Sequence, residues 1–280
     1  GEHGRGESVW LAWFLVVVLE GMSFLAAELG EGSLVEQYER DAAQLRDTID
    51  RVAWDGAWYQ RARFDDGTPL GSAANDEARI DSLPQSWAWI AGGGDPERAR
   101  KALESTWRQL VLRGERLALL FTPPFDLMKP SPGYIQGYPP GVRENGGQYT
   151  HAAIWLAIAL ARSGDGNRAA ELMRILNPVE KARDISEAWR YKLEPYVVAA
   201  DVYNLAGHIG EGGWSWYTGS GGWMYRAWME EILGLRRRGS SLEINPVIPS
   251  LWEGFKVIYR FGEGIYEIEV ENPERVQQGI

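Results

Sequence analysis

Three features of the sequence predict a mainly α-helical chain, an α/α toroid around a central pocket that ends in a small β segment. Amphipathic stretches with capping residues alternate with long glycine- and proline-rich loops from Glu7 to about Gly234. Two helix-to-helix turns, Gly94-Asp-Pro-Glu-Arg-Ala99 and Gly164-Asp-Gly-Asn-Arg-Ala169, resemble each other and suggest a repeated helical hairpin. After Gly239 the apolar period changes from helical spacing to alternation.

Taken in order, Val9 to Leu19 is an unbroken apolar run of 11 residues before Glu20. Spanning a bilayer takes about 20 residues. The residues ahead of the run, with Glu2 and Glu7 against Arg5, lack the positive start of a signal peptide. A buried core helix is the expectation, with no membrane contact from this segment. Ser33-Leu-Val-Glu36 has the form of a capping box opening a helix toward Val52, with Leu34, Tyr38, Leu45, Ile49 and Val52 on one face. Ser82 to Ile90 and Pro96 to Leu112 form the next pair, the second with proline in its first turn. Thr150 to Arg162 and Asn167 to Leu176 form another. The similar turns recur 70 residues apart, with loops as long as Thr122 to Gly147 between them. That spacing sets the chain apart from short-period helical solenoids and suits loops gathered on one rim of a toroid. Phe255 to Phe261, a Gly-Glu-Gly turn and Ile265 to Val270 read as a β-hairpin, preceded by an extended Leu242 to Pro249. The division expected is residues 1–238, helical, and 239–280, β.

Composition limits the partners. A net charge of −10, spread along the chain, has the wrong sign for nucleic acid. With no cysteine there is no disulfide, thiolate metal site or thiol nucleophile. The three histidines, His3, His151 and His208, are too scattered for a metal site. Fourteen tryptophans and twelve tyrosines exceed what the core demands, and indole faces stack on the C–H faces of sugars as on each other. Each tryptophan is either core or a sugar platform; Trp214, Trp216 and Trp223 stand nearest the glycine-rich loops.

Two glycine-rich aromatic segments, Gly141 to Trp155 and Gly212 to Arg226, concentrate the chemistry. Small residues that let backbone amides approach a ligand stand beside hydrogen-bonding side chains and flat aromatic faces, which suits an anion held next to a sugar ring. His151 reads as either a satisfied core or capping histidine or a ligand contact. Glu194, before Pro195 in an apolar stretch, is either a structural carboxylate or a group for sugar hydroxyls. Arg143 and Glu144 are a loop ion pair or pocket residues.

Five motifs, Phe64-Asp-Asp-Gly-Thr-Pro-Leu-Gly71, Ile80-Asp-Ser-Leu-Pro-Gln-Ser-Trp87, Pro139 to Trp155, Lys192-Leu-Glu-Pro-Tyr-Val-Val-Ala-Ala-Asp201 and Trp214 to Trp223, resemble glycoside hydrolase family 94 in the same order along nearly the whole chain. The resemblance implies an (α/α)6 barrel, here a partial one, followed by a jelly-roll-like β segment. It implies inverting phosphorolysis of a β-linked glucan to α-glucose 1-phosphate, with inorganic phosphate as co-substrate and no other cofactor. His151, Thr218 and the Gly219 amide would hold phosphate. Glu194, Tyr149, Gln85, Asp81 and Trp216 are the candidate sugar contacts. Homodimers are frequent in such a family, and a cytoplasmic location follows from it. The family's general acid lies in an Asp-Trp-Asn-Asp motif that residues 1–280 lack. The chain, which opens on Gly1, is therefore expected to start just after that motif and to be inactive alone. An inverting hydrolase on the same fold and a non-catalytic glucan-binding domain are the alternatives.

Overall fold

The computed structural model describes residues 3–216 and 218–279. Nine helices, α1 (Val9–Glu28), α2 (Gly32–Val52), α3 (Ser82–Ile90), α4 (Pro96–Leu110), α5 (Thr150–Arg162), α6 (Gly166–Leu176), α7 (Pro178–Lys181), α8 (Ile185–Tyr191) and α9 (Ser220–Arg226), dominate the described residues. A π-helical turn, Ala227–Ile232, continues α9. The strands are short until the end of the chain: β1 (Glu7–Ser8), β2 (Ala62–Arg63), β3 (Pro69–Leu70), β4 (Ile80–Asp81), β5 (Val111–Leu112), β6 (Leu117–Ala118), β7 (Phe121–Thr122), β8 (Gln148–Tyr149) and β9 (Asp201–Val202). Two hairpins follow, β10 (Leu235–Arg238) with β11 (Ser241–Ile244) and β12 (Gly254–Phe261) with β13 (Gly264–Glu271).

The two similar turns act alike where aspartate is concerned. Asp95 accepts from the amides of Glu97 and Arg98 at 2.8 and 3.3 Å, and Asp165 from that of Arg168 at 3.0 Å. Each satisfies donors that a helix start leaves open. Their glycines differ. Gly164 turns left-handed (φ +84°) to end α5, whereas Gly92 and Gly93 do this after α3 and Gly94 is small because the Asp50 carboxylate occupies the place of a Cβ.

Three expectations need correction. α2 begins at Gly32, after Glu31, so Ser33 lies inside the first turn and no side chain caps the helix. α4 stops at Leu110 because Val111 and Leu112 leave the helix to pair with Ala118 and Leu117. Of the extended Leu242 to Pro249, only the part up to Ile244 is a strand, ended by Pro246, which has no ladder N–H. The predicted β-hairpin holds, longer by one residue at each outer end, with Phe261 opposite Gly264.

α1 is the larger departure. It runs through Glu20 and Gly21 to Glu28 and buries one face only, Val9, Trp13, Val16, Ser23 and Ala26. Leu11, Phe14, Leu15, Val18, Met22, Phe24 and Leu25 are exposed. By length and composition it is long and apolar enough to cross a membrane, a test that core helices also pass.

The core has its centre on α5. Ile154, Leu156, Leu160, Leu172 and Met173 are fully enclosed, with Trp89, Trp107, Trp252 and Phe255 packed around them. A second cluster joins α1, α2 and α3 around Trp13 and Tyr59. The C-terminal strands dock where Gly166 lies against the Ile248 backbone, and Asn167 bonds Gln277 and Ser250 at 2.8 and 2.9 Å.

Candidate functional site

The start of α5 is held in a small wall of extended chain. Tyr149 pairs with Asp201 and Gln148 with Val202 across β8 and β9, and Val202 bridges on to Gly212. Thr150 N–H donates to Ala200 O at 2.9 Å and Ala200 N–H to Trp214 O at 2.7 Å. Segments distant in the sequence, 148–151, 200–202 and 212–214, are thereby brought to one place, with residues 218 and 219 beside them. A cavity of about 300 Å³ opens there, lined by Arg143, Glu144, Tyr149, His151, Ala200, Asp201, Trp214, Thr218 and Gly219.

His151, the second residue of α5, is half-buried against Trp155 and Trp223, ring centroids 4.6 and 5.8 Å away. Burial pushes its pKa below the ordinary histidine value, so the ring is neutral at pH 7. Its Nε2 is buried and has no partner among the described residues. A neutral imidazole protonated there has one N–H to offer a ligand. Thr218 Oγ accepts the Ser220 amide at 3.1 Å and lies 2.7 Å from the Ser220 hydroxyl, which fixes its position. Gly219 faces His151 closely enough that an added Cβ would stand 3.6 Å from Cε1. The three predicted phosphate residues therefore share one cavity.

Arg143, in the left-handed region (φ +51°), lies between the Tyr138 and Trp214 rings, 5.6 Å from each centroid. The Tyr138 hydroxyl holds its pKa above the usual arginine value. Arg143 and Glu144 both line the cavity, which decides between the two readings in favour of pocket residues. Tyr149 lines it too, its phenol raised in pKa by burial.

The other sugar candidates fare differently. Trp216 adopts a left-handed φ of +62°, is half exposed and donates its indole N–H to Glu194 Oε1 at 3.0 Å. The Glu194 backbone amide, then Trp216, hold that carboxyl below the usual glutamate range. The pair does not line the cavity. Asp81 and Gln85 are corrections. Asp81 is fully buried, paired with Arg61, and caps α3 through the Leu83 amide at 2.8 Å. Gln85 is fully buried and satisfied: it accepts from Tyr59 N–H and donates to Tyr59 O and Asp81 O, each at 2.8 Å. With its oxygen and both N–H groups engaged by the Tyr59 backbone and the Asp81 carbonyl, Gln85 has nothing left for a ligand.

The glycines also divide. Gly141, Gly146 and Gly147 are small because the Asn204 backbone, the Pro124 ring and the Arg143 backbone press on them, so they shape the loop. Gly219 alone among the glycines lines the cavity. Asp201 is the cavity residue that sequence reasoning did not select. It lies 1% exposed at the end of an apolar run, and Gly213 packs on its carboxyl.

Comparison with known proteins adds identity to this geometry. The family described as the glycosyl hydrolase 94 superfamily, catalytic domain, matches residues 2–234. The chain is 46% identical over 275 residues to the cyclic beta-(1,2)-glucan synthase NdvB of Rhizobium meliloti (strain 1021), covering 98% of this chain and 10% of that protein. It is 31% identical over 281 residues to the 3-O-beta-D-glucopyranosyl-beta-D-glucuronide phosphorylase of Paenibacillus borealis, covering 100% of this chain and 36% of that protein. It is 29% identical over 282 residues to the N,N'-diacetylchitobiose phosphorylase of Vibrio furnissii, covering 99% and 34%. The chain thus spans about a third of the length of these phosphorylases and a tenth of the synthase. A sialidase structure superposes with a TM-score of 0.57 at 11% identity, over 89% of this chain and 22% of its own, a likeness of fold alone. With the family match over most of its length and phosphorylases among its relatives, the chain belongs to the glycosyl hydrolase 94 family.

Proposed function

We propose that this chain forms the phosphate-binding wall of an inverting phosphorylase site acting on a β-linked glucan. The observation that carries the reading is the meeting of His151, Thr218 and Gly219 in one cavity beside the Trp214 ring and the Arg143 guanidinium. An imidazole N–H, a hydroxyl, a backbone amide and a guanidinium are all donors, which matches an anion of several acceptor oxygens. The indole supplies a flat face for the sugar.

In the reaction, a phosphate oxygen attacks the anomeric carbon from the face opposite the glycosidic bond. The bond to the leaving oxygen breaks, a carboxylic acid delivers a proton to that oxygen, and α-glucose 1-phosphate results. His151, Thr218 and Gly219 hold the nucleophile. By the family resemblance the proton donor would come from an Asp-Trp-Asn-Asp motif, which residues 1–280 lack, and Asp81 is spent on Arg61 and α3. Inorganic phosphate is the only co-substrate required. The helices would form part of an (α/α)6 barrel with a jelly-roll-like β segment behind it. A cytoplasmic location, where phosphate is abundant, agrees with this chemistry.

Phosphate-dependent release of glucose 1-phosphate from linear β-1,2-glucan tests the reading on the intact protein and on residues 1–280 alone. Activity in the intact protein only is the expected result. Cleavage without phosphate would make the site a hydrolase, and sugar binding with no turnover in either would make it a binding domain. His151→Ala should weaken phosphate binding roughly tenfold, the scale of one hydrogen bond to a charged group. Unchanged binding would remove His151 from the cradle.

A further inference from the structure

The proposed reaction leaves Asp201 without a task. It stands on β9 opposite Tyr149, and its two oxygens differ. Oδ1 accepts the Trp214 amide at 2.8 Å and so ties the third strand of the wall to the second. Oδ2 is buried and has no hydrogen-bond partner among the described residues. Burial, helped by the Glu144 charge, holds the carboxyl above the usual aspartate range, against the pull of the Trp214 amide and of the Arg143 guanidinium and backbone N–H. A buried carboxyl oxygen left unpaired is costly, and a fold that keeps one in a cavity wall leaves it for a partner that arrives from outside. Gly213 packs on this carboxyl. Its backbone lies flush on the carboxyl, and any Cβ there would collide with both oxygens.

Phosphate is the wrong partner, because a carboxylate repels it and its donors stand on His151, Thr218 and Gly219. A hydroxyl is the right one, since it pairs with a carboxyl in either protonation state, and a sugar carries several. Trp214, positioned through Oδ1 of the same carboxyl, is half exposed beside it. We propose that Asp201 contacts the substrate: Oδ2 pairs with a hydroxyl of the glycosyl unit held beside the phosphate, while Oδ1 fixes Trp214 for stacking on that ring. This rests on the carbohydrate reading above.

Calorimetric titration of the 280-residue chain and of Asp201→Asn, with inorganic phosphate and separately with a linear β-1,2-linked gluco-oligosaccharide, decides it. Asparagine keeps an oxygen for Trp214 and replaces Oδ2 by an amide, so a purely structural role would be preserved. The expected result is phosphate affinity unchanged within about twofold and oligosaccharide affinity down roughly tenfold or more. Gly213→Ala, which crowds the carboxyl without altering its charge, should show the same split, and decides alone if Asp201→Asn does not fold. Wild-type oligosaccharide affinity in either folded variant overturns the proposal, as does a loss confined to phosphate. A wild-type chain that binds the oligosaccharide but not phosphate would sink phosphorolysis and leave the Asp201 comparison readable. A wild-type chain that binds no oligosaccharide overturns the inference itself.

Discussion

Helices α1 and α5 are built from nearly the same apolar residue types, yet ten of the thirteen residues of α5 are buried against five of the twenty in α1. The neighbours account for the difference. α5 packs against α3, α6, α9 and the π-helical turn, whereas α1 has α2 and α3. Apolar composition states how much burial a helix would gain; the number of elements laid against it decides how much it gets. The consequence for function is local. His151 stands on the more enclosed of the two helices, and its ring packs against Trp155 and Trp223.

The largest effect that would test this contrast is in the α5 core. Leu160→Ala or Ile154→Ala, at positions 1% and 0% exposed, should cost about 2–5 kcal/mol, the range for a buried aliphatic cut back to a methyl. Leu25→Ala, at a position 53% exposed on α1, should cost under about 1 kcal/mol beyond helix propensity. Urea denaturation of the three variants gives the comparison directly. Equal losses would mean that α1 is packed in solution in a way this structure does not contain.

A second test uses the polar burial that accompanies the enclosed side. Lys181 at the end of α7 is 5% exposed and donates from Nζ to Arg116 O at 2.8 Å. Burial, then the nearby Arg116 and Arg190 charges, push its pKa down to about 7 despite Glu187. Between that value and its ordinary value of 10.5, the unfolded chain holds a proton there that the folded chain does not. Folded stability should therefore rise with pH across this window, by at most about 1.4 kcal/mol per pH unit from this one group, and the gain ends above it. Denaturation midpoints from pH 7 to 10 should flatten in Lys181→Met relative to the wild type. Parallel profiles would show that the amine stays charged in the fold.

Much of the helical part was legible because its signals are local. The bounds of α3 and α5 follow from apolar spacing, and Asp95, Pro96 and Asp165 mark helix starts by chemistry confined to one turn. The extension of α1 was not legible. The apolar run stops before Glu20, but Glu20 pairs with Arg46 on α2, a partner set by tertiary packing. In the site, His151, Thr218 and Gly219 stand in glycine-rich motifs that announce themselves. Asp201 does not, because its significance lies in pairing with Tyr149, 52 residues earlier, and in one oxygen left without a donor. Asp81 and Gln85 fail in the opposite sense: their motif suggests a ligand, while the Arg61 side chain, the Leu83 amide, the Tyr59 backbone and the Asp81 carbonyl engage their side-chain polar atoms.

The smallest expected change in stability bears most directly on α1. Phe24 and Leu25 are 66% and 53% exposed; helical spacing puts Leu25 with Leu11, Leu15 and Val18 on one exposed face, with Phe24 exposed on the side next to it. Replacing Phe24 and Leu25 by glutamine removes little that the fold buries, so the unfolding free energy should move by no more than about 0.5 kcal/mol per site. What should change is association. Contiguous exposed apolar surface drives chains together, and polar replacement lowers that tendency without touching the core. Light scattering and sedimentation of the double variant against the wild type, at matched stability, separate the two quantities. A fall in self-association at constant unfolding midpoint would establish that α1, unlike α5, carries apolar surface in excess of what its own neighbours bury. A drop in midpoint with unchanged association would instead place this face inside the folded unit and remove the contrast between the two helices.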